Sequence, residues 1–271
     1  MDSKLIFFDI DGTLITHGKH ELAPRTAEAI RRARANGHVC VINTGRTAAL
    51  VMDWLPQLAP FDGYLCGCGT QIFFQGQSLM HRTLTQDEAK HIIDGLEAHK
   101  IDAILEGENM NFTHDLGHMH TATFRKYIAD RYSQRMWQPF ENAPGRFDKF
   151  FCFADDSQSV YDFMKDQADL LDLIDREHGY FEIVPKGCSK ATAMDFLLDH
   201  LNKSGNYPKM ITTADMVAIG DSNNDLPMLQ HAGTAIAMAK SSTQVLELAD
   251  FVTTTVMDDG IYNALAWLGC L

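Results

Sequence analysis

The sequence predicts an α/β fold built on a parallel sheet, with an α+β module inserted into it. Short apolar strands alternate with helices over the first 80 residues, and the alternation resumes after residue 186. The stretch between these regions contains strands and helices that do not alternate regularly. The simplest arrangement is a core domain formed by residues 1–81 and 186–271, with residues 82–185 inserted as a second domain.

The N-terminal region supplies the first half of the predicted sheet. Residues 5–8 are apolar and predict a buried strand. Residues 24–36 predict a helix, because Pro24 lies at its first turn and Gly37 follows its last residue. The other elements predicted here are strands at residues 39–42 and 64–66, a helix at 48–58, and a hairpin formed by 71–74 and 78–81.

The remaining elements follow the same signals. Residues 85–99 predict an amphipathic helix, since their apolar side chains recur at helical spacing. The inserted region is further predicted to contain strands at residues 103–106, 111–113, 149–154 and 180–184, and helices at 121–129 and 160–168. The C-terminal region is predicted to contain strands at residues 216–219, 235–238 and 251–254, and helices at 189–201, 242–248 and 260–268. A further helix is predicted to run from the acidic cluster after residue 220 to about His231.

The composition excludes some classes of partner. The chain of 271 residues carries 36 acidic and 23 basic side chains, for a formal charge of -13. This excess of negative charge would repel a polyanion, so we expect no nucleic-acid partner. No apolar run reaches the length of a membrane span, and no signal peptide is expected. We expect a monomer or a weak homodimer.

The six cysteines predict neither a zinc site nor a redox site. Cys66 and Cys68 form the only closely spaced pair, and no C-x-x-C sequence occurs. We interpret them as reduced thiols near a turn. The sequence is therefore typical of a protein of the reducing cytoplasm.

Polar clusters follow three of the predicted strands. Side chains at positions i and i+2 of an extended chain point to the same side, so Asp9 and Asp11 can face one spot. Two carboxylates held close repel each other unless a cation or a proton lies between them. The three clusters are Asp9-Ile-Asp11-Gly-Thr13, Thr44-Gly45-Arg46 and Gly220-Asp221-Ser-Asn-Asn224-Asp225. Ligands of a parallel sheet bind at the carboxyl ends of its strands, and grouped carboxylates suit Mg²⁺.

Each cluster also has a purely structural interpretation. An Asp-Gly pair after a strand is common in turns, and the acidic run after residue 220 could cap a helix. An EF-hand is excluded, because Leu14 and His20 stand where its glycine and its glutamate belong. Three clusters after three apolar strands favour a functional site.

The combined motifs resemble those of the haloacid dehalogenase superfamily, and specifically its Cof-type phosphatases with a type IIB cap. The matching motifs are Asp9-x-Asp11-x-Thr13, Thr44-Gly45-Arg46, Lys190 in Lys186-Gly-Cys-Ser-Lys190, Gly220-Asp221-x-x-Asn224-Asp225, and Asp258-Asp259-Gly260. The resemblance covers the whole chain. It implies a Rossmann-like core of residues 1–81 and 186–271, and an α+β cap of residues 82–185.

The resemblance also implies roles for individual residues. Asp9 would attack phosphorus to form an aspartyl-phosphate, and Asp11 would act as general acid and then as general base. Mg²⁺ would be held by Asp9, the main-chain carbonyl of Asp11 and Asp221, with Asp225 supporting the metal indirectly. The phosphoryl group would be bound by Thr44, Gly45, Lys190 and Asn224.

Other features stay open at this point. The substrate is expected to be a small phosphorylated metabolite, with sugar phosphates first and flavin or pyridoxal phosphates next. A phosphomutase, a phosphotransferase and a non-catalytic binding protein are the alternatives. Arg46 is either a substrate ligand or a surface residue. Met52 and Trp54 are interpreted as packing residues, and the histidines at 114, 118 and 120 as a solvated loop.

Overall fold

The protein consists of two compact units. The computed structural model describes residues 3–113, 119–129, 137–139, 145–205 and 210–271. The first unit, here called the core unit, combines Met1–Met80 with Ser189–Leu271, and the second, the cap unit, is His81–Cys188. One mixed, mostly parallel sheet and one mostly antiparallel sheet are present, and the predicted α/β class is confirmed.

The N-terminal part of the core unit contains most of the elements that its sequence predicts. In chain order they are β1 (Leu5–Phe8), α1 (Thr26–Ala35), β2 (Val39–Asn43), α2 (Leu55–Leu58), β3 (Gly63–Cys66), β4 (Gln71–Phe74) and β5 (Gln77–His81).

The continuous helix predicted at residues 48–58 is wrong. A short 3-10 helix covers Ala48–Leu50, turns follow, and α2 begins only at Leu55. Pro56 gives the physical reason, because it has no N–H to donate to the carbonyl of Met52 four residues earlier. A new helix that begins at Leu55 places the proline in its first turn, where no such donor is needed.

The cap unit contains three helices and six strands among its described residues. They are α3 (Gln86–Ala98), β6 (Ala103–Glu106), β7 (Asn111–Thr113), α4 (Ala122–Ala129), β8 (Trp137–Pro139), β9 (Lys149–Phe153), α5 (Ser157–Asp166), β10 (Leu171–Asp175) and β11 (Tyr180–Pro185). The sequence did not predict β8 or β10. Aspartate is unfavourable in strands, but pairing with β11 at the sheet edge stabilises the β10 segment LDLID.

The cap sheet has the strand order β10-β11-β9-β6-β7-β8. One face packs against α3 and α5 through side chains such as Ile92 and Phe163, in a single apolar cluster. The other face carries a buried ion cluster, in which the amine of Lys149 contacts the carboxylate of Glu106 and lies 2.6 Å from Oε1 of Glu182. Arg176 adds a second cation 3.0 Å from Oε2 of Glu182.

The C-terminal part of the chain completes the core unit. Its elements are α6 (Lys190–Ser204), β12 (Met216–Gly220), α7 (Leu226–His231), β13 (Thr234–Ala237), α8 (Thr243–Leu248), β14 (Phe251–Val252) and α9 (Gly260–Trp267). The eight strands follow the order β14-β13-β12-β1-β2-β3-β4-β5, so β1 lies between β2 and β12. All pairs from β14 to β3 are parallel, and β4 runs antiparallel to β3.

Both faces of the core sheet are covered. Ile6 and Phe8 belong to the apolar cluster that includes residues of α1 and α9, whereas Leu5 and Phe7 belong to the cluster that includes residues of α6, α7 and α8. Burial on both faces explains why β1 is apolar at every position. The packed sheet thus fixes the positions of the loops that follow its strands.

Of the three histidines noted in the inserted region, one lies among the described residues. His114 and His118 lie outside the described residues, whereas His120 is exposed and its main-chain N–H donates to Asp102 at 2.9 Å.

None of the helices in the described ranges is long and apolar enough to cross a membrane.

Candidate active site

The three polar clusters come together at one edge of the core sheet. Asp9 follows β1, Thr44 follows β2 and Asp221 follows β12, and these are three neighbouring strands. Phe8 pairs with Ile42 on one side and with Ile219 on the other, which brings the strand ends level. Parallel strands therefore place side chains from distant parts of the chain at one site.

A buried lysine connects two of the carboxylates. Lys190 is the first residue of α6, and its Nζ lies 2.5 Å from Oδ1 of Asp9 and 2.6 Å from Oδ1 of Asp225. Ser189 caps this helix by accepting a hydrogen bond from the main-chain N–H of Thr192. Burial opposes the charge of Lys190, but the two carboxylates outweigh it and raise the pKa of the amine. The lysine is therefore a fixed cation beneath the site.

Both oxygens of Asp225 are used within the protein. Oδ1 accepts from Lys190, and Oδ2 accepts from the main-chain N–H groups of Asp221 and Ser222 at 2.9 and 3.0 Å. Asp225 is fully buried beside Gly220, where an added Cβ would lie 2.7 Å from the Cβ of Asp225. Asp225 is thus suited to fix the Asp221 loop rather than to face a ligand.

Asp221 lies against the turn that follows Asp9. Its Oδ1 accepts a hydrogen bond from the hydroxyl of Thr13 at 3.2 Å. Gly12 has a φ of 87°, and a Cβ at this position would lie 2.3 Å from Oδ2 of Asp221. Glycine is required here because it adopts the left-handed conformation and leaves room for the carboxylate.

The carboxylates of Asp9 and Asp221, beside that of Asp225, suit a hard divalent cation. One oxygen of each of these three carboxylates lies within 4.8 Å of the others. Burial, followed by the charge of Asp225, raises the pKa of Asp9 to about 7. Burial, followed by the charges of Asp9 and Asp225, raises the pKa of Asp221 to about 8. A bound cation would relieve this repulsion, so the donor set fits a Mg²⁺ site.

The loop after β2 offers hydrogen-bond donors to a phosphoryl group. The N–H of Thr44 donates to the carbonyl of Leu65, and the hydroxyl oxygen of Thr44 accepts from the N–H of Arg46 at 3.2 Å. The hydroxyl proton of Thr44 therefore remains available for donation. Within the described ranges, the N–H of Gly45 makes no hydrogen bond and is available too.

Two buried asparagines lie at or just after strand ends of the core sheet. Asn224 is buried, and its Oδ1 accepts from the hydroxyl of Ser222 at 2.7 Å, which leaves its amide N–H groups available for donation. Asn43, the last residue of β2, donates from Nδ2 to the main-chain carbonyl of Lys190 at 3.0 Å. Asn43 thereby fixes the first turn of α6. The sequence did not indicate Asn43, because a polar residue at a strand end has many ordinary roles.

The sequence left two roles open for Arg46, that of a substrate ligand and that of a surface residue. The structure shows that it is not a simple surface residue. Its Nε lies 2.7 Å from Oδ2 of Asp11, and its Nη2 lies 2.6 Å from Oδ1 of the same carboxylate. Asp11 and Arg46 both belong to motifs found in the sequence, but the sequence did not predict that they form an ion pair. Trp54 packs against the core as predicted, with the ring of His20 stacked on it at 4.2 Å. Met52 is exposed.

Comparison with known proteins assigns this arrangement to a family. Residues 6–265 match the family model described as haloacid dehalogenase-like hydrolase. YkrA of Bacillus subtilis (strain 168) is 27% identical over 271 residues, which is 100% of both chains. The 5-amino-6-(5-phospho-D-ribitylamino)uracil phosphatase YcsE of the same organism is 24% identical over 267 residues, covering 98% of this chain and 95% of YcsE.

A solved structure supports the same architecture. The HAD subclass IIB sugar phosphatase BT4131 superposes with a TM-score of 0.80 at 24% sequence identity. The match covers 99% of this chain and 100% of BT4131. At this level of identity the likeness concerns the fold, and the fold is the one predicted.

Proposed function

We propose Mg²⁺-dependent hydrolysis of small phosphorylated metabolites for this chain, which belongs to the haloacid dehalogenase-like hydrolase family and is a phosphatase. Membership of the family confirms the resemblance that the motifs indicated. The observation that carries the proposal is the position of Asp9, which lies next to a buried cation and two further carboxylates at the carboxyl end of the sheet.

Asp9 is the proposed nucleophile. Lys190 contacts its Oδ1, whereas Oδ2 accepts no hydrogen bond from any described residue and can approach phosphorus. Attack by this oxygen forms a phosphorus–oxygen bond and breaks the bond to the leaving alkoxide, which gives an aspartyl-phosphate. Water then attacks the same phosphorus, and free phosphate leaves as the Asp9 carboxylate is restored.

Asp11 is the proposed carrier of the proton. In the first step it delivers a proton to the leaving oxygen, and in the second step it takes a proton from the attacking water. Unlike Asp9, Asp11 is 29% exposed, so it can exchange protons with solvent and reach the leaving group.

Mg²⁺ is proposed to be held by Asp9, the main-chain carbonyl of Asp11 and Asp221, with Asp225 as indirect support. When bound, it supplies positive charge for the phosphoryl oxygens and offsets the repulsion between the carboxylates. The contacts of Asp225 support this division, since both of its oxygens are already used by Lys190 and by main-chain N–H groups.

The phosphoryl oxygens are proposed to be bound by Thr44, Gly45, Lys190 and Asn224. The first two present a hydroxyl and a main-chain N–H, Lys190 carries a fixed charge, and Asn224 presents a side-chain amide. Fixed donors around the transferred group stabilise its charge in the transition state.

Sugar phosphates are the proposed substrate class, followed by flavin-related and pyridoxal phosphates. The activities of two similar proteins support the first two classes, since BT4131 is a sugar phosphatase and YcsE acts on a phosphorylated ribityl compound. We further propose a cytoplasmic location and a monomer or weak homodimer. The six free cysteines, five of them buried, suit a reducing compartment.

A phosphate-release screen tests the proposal. The protein is incubated with Mg²⁺ and a panel of sugar, flavin and pyridoxal phosphates, and both free phosphate and isomeric phosphates are measured. We expect free phosphate from wild type and none from Asp9→Asn. Asp195→Asn, on the exposed side of α6, is the matched control and should retain activity. An isomeric product would instead indicate a mutase, and turnover by Asp9→Asn would exclude the mechanism.

A further inference from the structure

The carboxylate of Asp11 is held by two parallel hydrogen bonds from Arg46. The Nε–Oδ2 distance is 2.7 Å and the Nη2–Oδ1 distance is 2.6 Å. Both side chains are partly exposed, at 23% for Arg46 and 29% for Asp11. Two simultaneous bonds from a planar guanidinium fix the plane of a carboxylate as well as its position.

Arg46 is itself anchored at several points. Its main-chain N–H donates to the hydroxyl of Thr44, and its carbonyl accepts from the N–H of Gly67 at 2.7 Å. Its guanidinium carbon lies 5.8 Å from the ring centroid of Trp54, within the range of a cation–π contact. The ring of Trp54 is held in turn, since its Nε1 donates to the carbonyl of Leu50 at 2.8 Å. Arg46 is therefore a fixed partner for Asp11.

Among the described residues, Arg46 is the cation that forms an ion pair with Asp11. Lys190 is bound to Asp9 and Asp225, and the ion pairs of the described residues join Asp11 to Arg46 alone. A carboxylate has about four sites that accept hydrogen bonds, and Arg46 uses two of them. One of the remaining sites can carry the proton that Asp11 gives to a leaving oxygen, or accept the proton of an attacking water, while the guanidinium stays in place.

We propose that Arg46 is a positioning residue that holds Asp11 in the orientation needed for proton transfer. The inference rests on the proposed phosphatase reaction and adds a residue to it. Arg46 acts through Asp11, and the atoms that react are unchanged: Asp11 gives its proton to the leaving oxygen and later takes one from water. The alternative role is direct binding of the substrate phosphate by Arg46.

The two roles differ in their dependence on the leaving group. p-Nitrophenolate is a good leaving group that departs with little help from an acid, whereas an alkoxide needs a proton. Loss of a positioning residue should therefore impair alkyl phosphates selectively. Loss of a phosphate ligand should impair both substrates equally, because both carry the same phosphoryl group.

The test measures kcat/KM for p-nitrophenyl phosphate and for the best alkyl phosphate of the screen. This quantity reports the step that forms the aspartyl-phosphate. We expect Arg46→Gln to lower the value for the alkyl phosphate about tenfold or more beyond its effect on p-nitrophenyl phosphate. Arg46→Lys should show much of the same selectivity, since an ammonium keeps the charge and loses the two-pronged contact. In an Asp11→Asn background, Arg46→Gln should cause no further selective loss.

Arg34 provides a matched control in the same unit. Its guanidinium binds Asp62 through Nε at 3.0 Å and Nη2 at 2.6 Å, away from the active site. Arg34→Gln should leave the ratio of the two kcat/KM values unchanged, whatever its effect on thermal stability. Thermal unfolding of both variants shows whether the Arg46→Gln protein is folded.

Three results would overturn the inference. Equal losses for both substrates would identify Arg46 as a phosphate ligand, and an absence of loss would leave it no role in the reaction. A selective loss that persists in the Asp11→Asn background would show that Arg46 acts through another group. A wild-type protein without phosphatase activity would overturn the proposed function itself, which the same assay reveals before any variant is compared.

Discussion

The Nζ atom of Lys190 lies 2.5 Å from Oδ1 of Asp9, although the two residues are 181 positions apart in the sequence. This contact joins the second half of the core unit to Asp9, the proposed nucleophile, in the first half. Lys190 is 1% exposed, so its charge is balanced almost entirely by Asp9 and Asp225.

Lys190→Met should abolish phosphate release and destabilise the core unit. Removal of the amine leaves two buried carboxylates without a cation, which typically costs about 3–5 kcal/mol. Urea unfolding followed by circular dichroism measures the loss. Lys203→Met is the control in the same helix, because Lys203 is exposed and its ion pair with Asp199 should contribute little. Equal stability of the two variants would contradict the prediction.

Mg²⁺ binding should tighten as the pH rises through neutrality. Asp9 and Asp221, with pKa values raised to about 7 and about 8, hold protons that the metal must displace. The affinity for Mg²⁺ should therefore increase as the pH rises from about 6 to about 9, and binding should release protons. Calorimetry in two buffers of different ionisation enthalpy measures both quantities. Binding that neither releases protons nor varies with pH would exclude these carboxylates as the ligands.

Asp221→Asn should stabilise the metal-free protein at high pH. A folded-state pKa near 8, against an ordinary value of 3.8, means that ionisation of Asp221 destabilises the fold as the pH rises between these values. Asparagine carries no charge, so the variant should gain on the order of 1 kcal/mol or more above pH of about 8, and nothing below about 4. Urea unfolding at both pH values measures the difference. Mg²⁺ should stabilise only the wild type.

Gly12→Ala should weaken metal binding, whereas Gly18→Ala should not. Both glycines have positive φ values, 87° and 73°, so each substitution should cost about 1–2 kcal/mol for a left-handed alanine. Only at Gly12 would the new Cβ overlap the carboxylate of Asp221, since nothing lies within 4 Å of a Cβ at Gly18. Stability and Mg²⁺ affinity are measured for both variants. Equal Mg²⁺ affinities would argue against direct participation of Asp221.

Lys149→Met should destabilise the cap unit. Glu106 and Glu182 would lose the cation that contacts both, although Arg176 would still face Glu182. We expect a loss of about 3–5 kcal/mol, as for other broken buried ion pairs. Hydrogen exchange in β6, β9 and β11 locates the effect. The control is Lys90→Met, because Lys90 lies on the surface of the same unit and its ion pair among the described residues is with the exposed Asp94.

The sequence grouped the residues of the candidate site but did not show their contacts. Asp9, Thr44 and Asp221 each follow an apolar strand, so a rule about strand ends was enough to group them. The pairing of Arg46 with Asp11 depends on the side-chain conformations of two loops, and no periodicity in the sequence encodes these. The hydrogen bond from Asn43 to the main-chain carbonyl of Lys190 could not be predicted from the sequence for the same reason.

Secondary structure was missed where tertiary contacts outweigh local preference. The strand β10 contains two aspartates and forms because β11 offers a complete partner along its length. The 3-10 helix at Ala48–Leu50 and the late start of α2 depend on Pro56, which the prediction of one helix over residues 48–58 placed inside that helix.

The position of β1 between β2 and β12 has a consequence for synthesis of the protein. The ribosome makes Asp9 long before Met216, where the strand that completes its side of the sheet begins. A nascent chain that has reached Cys188 already contains all of the cap unit, while β1 still has an open edge toward the missing β12. The proposed nucleophile thus remains without Lys190 and Asp221 until the rest of the core unit has been made, and we expect the unfinished polypeptide to have no phosphatase activity.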